Sequence, residues 1–139
     1  MKKEIIARTI ENLSQNGFTV KFFQDSESAK KAILEDIAPD KTVGFGGSMT
    51  VENMGIYEAL KEKGVRALWH WKAGEGENKR DILKLSAAAD IYFSGTNAIT
   101  ESGSLVNIDG AGNRLSGLLF GHEKVIIVAG VNKITRSLD

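Results

Sequence analysis

The chain of 139 residues has no cysteine, one proline and only 7% aromatic residues. The missing thiols exclude disulfides, thiolate zinc sites, cysteine nucleophiles and any iron–sulfur cluster ligated by this chain's own cysteines. Redox chemistry would need a borrowed cofactor. An excess of one charge is missing too: 18 basic side chains balance 18 acidic ones. No overall field therefore draws nucleic acid or an anionic membrane, and neither is expected as a partner. The longest apolar run, residues 125–131, is far too short to span a bilayer, and "MKKEIIARTIENLSQ" carries charges where a secretory signal needs an apolar stretch. A cytoplasmic protein is expected.

What is present is an ordinary globular composition, 42% hydrophobic and 26% charged, which suits one core and one domain over residues 1–139. Ile6, Ile10 and Leu13 fall at helical spacing before Gly17, so residues 3–16 read as a helix. "FTVKFF" reads as a strand. Ser26 offers a cap to a second helix carrying Ala29, Ile33 and Ile37, which Pro39 ends. "KTVGFG" is the next strand, residues 50–63 a third helix, and "VRALWHW" another strand. Residues 81–89 read as a helix with Ile82 and Leu85 inward, and "DIYFSG" as a strand. "SGSLVNIDG" suggests a hairpin and residues 114–120 a helix. "KVIIVAG" lacks polar alternation, as a strand covered on both faces does, and "NKITRSLD" resembles the opening of a helix. Alternation of this kind predicts an α/β fold, a mostly parallel sheet between two helical layers.

The glycine-rich bend "GFGGS" fails as a dinucleotide fingerprint, because Met49 stands where the third glycine belongs and no carboxylate ends the next strand. No Gly-Lys-Ser/Thr follows, so it is not a P-loop. No nucleophile elbow supports Ser48 in acyl transfer. Two readings stay open: glycines that only permit a tight turn, or a bend whose helix-start amides favour an anion. Position favours a ligand, since an open parallel sheet binds beyond the carboxyl ends of its strands. "SGTNAITESG" and "GVNK" follow strands on that same edge, adding Asn97, Glu101, Asn132 and Lys133, a set suited to a polar anion.

"VNIDGAGNRL" adds Asn107, Asp109, Gly110, Asn113 and Arg114. Asn113 is placed to cap the next helix, and Arg114 in its first turn opposes the helix dipole. Either a bound anion or a salt bridge to Asp109 or Glu101 would relieve that conflict. His70, between Trp69 and Trp71, reads as a strand end packed on a helix before it reads as an acid–base group or as part of a stacking surface. Two distant histidines give no metal spacing, so no metal is expected.

The segments "VGFGGSMTVENMGIYEALKEKG", "SGTNAITESGSLVNIDGAGNRLSGLLFG" and "KVIIVAGVNKI", in this order from about residue 40 to residue 134, resemble the LUD (lactate utilization) domain family, LutC-like. The resemblance implies a Rossmann-like three-layer sandwich of the sugar-phosphate isomerase and CoA-transferase group (NagB/RpiA/CoA-transferase-like). It implies participation in oxidising L-lactate to pyruvate, with iron–sulfur clusters on partner proteins and no cofactor on this chain. Family chains usually continue further, so a C-terminal truncation is an expectation, and a homo-oligomer stays open. By likeness to the isomerases' phosphate loop, Gly44, Gly46, Gly47 and Ser48 are carried over as ligand-binding. "TESG" is similar to the glutamate motif of CoA-transferases, which makes Glu101 a candidate nucleophile or base. The alternatives are a free-standing sugar-phosphate or CoA-ester enzyme using Glu101, and a non-catalytic assembly module.

Overall fold

A computed structural model describes residues 2–138. Four strands, β1 (Thr42–Phe45), β2 (Arg66–Leu68), β3 (Ile91–Ser94) and β6 (Lys124–Ile127), form one parallel sheet in the order β2-β1-β3-β6. Side chains alternate faces along a strand. Val43, Phe45, Ile91 and Phe93 therefore point to one side, where α3 (Met49–Met54) and α4 (Ile56–Glu62) cover them with Val51, Ile56 and Leu60, and α2 (Ser26–Glu35) packs Ile33 behind. Gly44 and Tyr92 point to the other side, against α5 (Lys79–Ala87) and α6 (Asn113–Leu119). This is the expected Rossmann-like three-layer α/β arrangement.

A second, smaller sheet has β4 (Ala98–Thr100) between β5 (Leu105–Val106), antiparallel to it, and β7 (Ile134–Thr135), parallel to it. The helix α1 (Lys3–Gln15) docks there: Asn12 donates to the Glu101 carbonyl at 2.8 Å and Asn16 to the Gly103 carbonyl at 2.9 Å. No helix among the described residues is long and apolar enough to cross a membrane.

Several expectations are corrected. Residues 18–23 form no strand, because alternation supplies a face but no neighbouring edge supplies hydrogen bonds. Asp25, not Ser26, caps α2, its carboxylate accepting from the Ser28 amide at 2.7 Å. The helix expected over 50–63 breaks at Gly55, whose φ of 69° is left-handed. Strand β2 stops at Leu68, and His70–Lys72 make a 3-10 turn. Leu85 points outward; Ser86 faces in, since α5 approaches β1 too closely for a larger side chain. The hairpin is 98–106, upstream of the segment expected. Strand β6 lies at an edge of the sheet and is half-buried, and "NKITRSLD" gives a 3-10 turn and β7 instead of a helix.

Tyr92 lies buried beneath Gly117 of α6, its hydroxyl donating to the Asn113 carbonyl at 3.5 Å. Burial, reinforced by nearby Asp109, pushes its phenol up to about 12 from about 10. The folded form holds the proton longer than the unfolded form. Stability is therefore complete below about pH 10 and falls as pH rises toward 12, by on the order of 2 kcal/mol. Denaturant midpoints should fall across that window for the native chain and hold more nearly constant for Tyr92→Phe.

Candidate functional site

The carboxyl ends of β1, β3 and β6 open into three loops that meet over a cleft of about 260 Å³. The first loop contributes Gly47 to Thr50, the second Gly95 to Asn97, and the third Val128, Ala129 and Lys133; Trp71 and Arg114 complete the wall. A second cavity of about 300 Å³ shares Gly47, Trp71, Asn97 and Arg114 with it and reaches His70, Ile108, Asp109 and Asn113. Residues from all three loops thus line one cleft at this rim.

Close approach of backbone explains the glycines here. A Cβ on Gly95 would come 2.9 Å from Ser48 Oγ, and one on Gly46 would come 3.2 Å from Arg114 Cγ. The first loop then runs into α3, where Ser48 caps the helix by accepting from the Val51 amide at 3.2 Å. This role, not nucleophilic attack, occupies its hydroxyl. The amides of Met49 and Thr50 fall in the first turn, where a helix has no internal acceptors, and both residues line the cleft.

Arg114 is held by neutral partners. Its Nη2 donates to Asn97 Oδ1 at 2.5 Å and to the Ile108 carbonyl at 2.7 Å, while its Nε is buried without a partner. Asn97 Oδ1 also accepts from the Ile108 amide at 2.9 Å, tying the second loop to the 108–114 segment. Neither Arg114 nor Lys133 makes an ion pair among the described residues. Asn113 does not cap α6: Gly112 holds the cap position, and the Asp109 carboxylate accepts from the amides of Arg114 (2.7 Å) and Leu115 (3.1 Å). Of the two ways to relieve a cation in that first turn, the structure has neither expected salt bridge. The dipole is answered by Asp109, and the guanidinium charge stays available to the cleft.

His70 lines the second cavity with its Nδ1 buried and unpartnered. Burial first, and the Lys79 charge second, lower its pKa and favour the neutral ring.

Other expected residues lie elsewhere. Glu101 sits in the β4–β5 turn, its carboxylate bonded to Arg8 at 2.8 Å, and lines neither cavity. Gly44 is inside β1 against α5; Gly110 has nothing within 4 Å; Asn107 and Asn132 line neither cavity. Trp71 is one of several wall residues, with Met49, Thr50 and Thr96, that were not expected as site residues from the sequence. The signal for Trp71 was available, a large aromatic just past a strand's carboxyl end, but reading "WHW" as strand concealed it.

No group of three or more histidine, cysteine, aspartate or glutamate side chains among the described residues can hold a metal ion. With no cysteine in the chain, the residues present do not fit an iron–sulfur cluster. No curated protein matches this sequence. A family model described as LUD domain matches residues 6–139, nearly the whole chain, and with the parallel sheet and its rim already in view the chain belongs to the LUD domain family.

Proposed function

We propose that this protein is a cytoplasmic subunit or accessory of lactate oxidation that binds a small anion at the rim of its parallel sheet. Family membership supports the pathway. One observation carries the binding claim: Arg114 and Lys133 line one cleft, where three loops meet, and neither makes an ion pair among the described residues. An anion desolvated there gains charge-assisted hydrogen bonds that neutral partners cannot match. In this reading iron–sulfur clusters belong to partner proteins. Calorimetry with lactate, pyruvate, a sugar phosphate and an acyl-CoA tests it: heat of binding from at least one is expected, and silence from all four with folded protein removes the claim.

A free-standing enzyme using Glu101 makes a different forecast. With its carboxylate on Arg8 and outside the cleft, Glu101→Gln should leave anion affinity within about twofold and cost at most ~1 kcal/mol of stability, as exposed ion pairs do. Loss of binding or turnover in that variant would instead move the site to the hairpin. One observation favours an assembly module, the exposure of Leu119 (83%) and Phe120 (89%) at the end of α6. Co-purification with a cysteine-rich partner, without heat from any anion, would support that reading.

A further inference from the structure

We infer that the ligand of this rim is a nucleotide, its base stacked on Trp71 and its phosphate held by Arg114 and Lys133. The inference rests on the anion-binding reading of the same cleft and adds the group that the anion is attached to. Four aromatic rings stack in succession: Phe93 on Phe45 at 5.1 Å between centroids, Phe45 on Trp69 at 4.9 Å, and Trp69 on Trp71 at 5.2 Å. The interplanar angles are 11°, 13° and 16°. The first three rings are wholly buried, whereas Trp71 is 44% exposed and lines both cavities.

An indole fixed from behind by a buried stack is a pre-organised plate, so a planar ligand loses little freedom in meeting it. Gly47 belongs to the same device. A Cβ there would come 2.8 Å from Trp71 Cζ2, so a side chain at position 47 would displace the indole from its place at the cleft. A three-carbon acid has no π face and gains nothing from such a plate. A base gains stacking and, in the second cavity, polar side chains for its edge: His70, Asn113 and Asp109. Arg114 lines both cavities, as Trp71 does, and Lys133 lines the first. Ring and cations therefore border the same pair of adjoining cavities.

The chain's only tryptophans are Trp69 and Trp71, so intrinsic fluorescence reports on the stack directly. The intact chain is titrated with adenosine monophosphate, adenosine and inorganic phosphate, by fluorescence and by calorimetry. Adenosine monophosphate should quench the emission and bind roughly tenfold or more tighter than phosphate, the usual scale of one base–aromatic stack. Trp71→Ala should reduce its affinity to that of phosphate, Trp71→Phe should keep part of the gain, and the far-ultraviolet circular dichroism should be unchanged in both. That constancy separates a lost plate from a lost fold. If phosphate or pyruvate binds and adenosine monophosphate binds no tighter, the nucleotide inference fails while the anion site stands. Silence from adenosine monophosphate and phosphate, together with silence from lactate, pyruvate, a sugar phosphate and an acyl-CoA, removes both, and adenosine binding as tightly as its phosphate removes the cations from the site and the nucleotide assignment with them.

Discussion

Gly44→Ala is expected to lower the melting temperature on the order of 10 °C. Gly44 lies in the middle of β1 on the face turned to α5, and a Cβ there would come 2.6 Å from the Ser86 carbonyl oxygen and 3.0 Å from its Cα. Those atoms are helix backbone, so no side-chain rotation relieves the clash; α5 must back away from the sheet. Its retreat would also weaken the buried bond in which Ser86 Oγ accepts from the Phe45 amide at 2.9 Å. Overpacking usually costs about 1–3 kcal/mol, and this case belongs at the upper end, where a domain of this size loses a few degrees per kcal/mol. Gly110→Ala is the control, because nothing lies within 4 Å of its Cβ position and its φ is not left-handed. That variant should melt within a degree or two of the native chain. A Gly44→Ala protein as stable as the control would show that strand and helix are not in the close contact described.

The contrast between these two glycines marks what the sequence could show. Both belonged to segments expected to bind ligand. The flexibility of glycine is visible in sequence; the object it approaches is not. Gly44 meets a helix that begins 35 residues later, at Lys79, and only the tertiary arrangement joins them. The same reason divides the other expectations. The parallel sheet was legible because apolar strands alternating with amphipathic helices leave few topologies, and the rim followed because those strands share a direction. The role of Asp109 as cap of α6, five residues before Arg114, was hidden by Asn113, a better local candidate whose backbone is already inside the helix. Glu101 was misplaced for a related reason. Its distance along the chain from β3 suggested the rim, but the β4–β5 hairpin carries it to α1, where Arg8 stands 93 residues away in sequence.

Arg114→Ala is expected to weaken binding of phosphate or pyruvate by roughly 10- to 100-fold, the worth of about 1.5–3 kcal/mol in charge-assisted hydrogen bonds. Arg114 is bonded only to neutral protein partners, an amide oxygen and a carbonyl, and makes no ion pair among the described residues. Those same two bonds fix the guanidinium, so part of any loss on truncation comes from freeing Asn97 and the 108–114 segment. Arg114→Lys separates the contributions. It keeps the charge and gives up the fork, so it should recover some affinity without restoring the bond pair. Salt offers an independent reading: the native affinity should fall with ionic strength, and less steeply once one of the two cations is gone. Lys133→Ala should show the same reduced slope with a smaller loss, since Lys133 makes no side-chain bond among the described residues and its removal disturbs no loop. If Arg114→Ala binds either anion as tightly as the native chain while Lys133→Ala does not, the anion is held nearer the third loop, and Arg114 serves only to lock Asn97 to the segment that follows it.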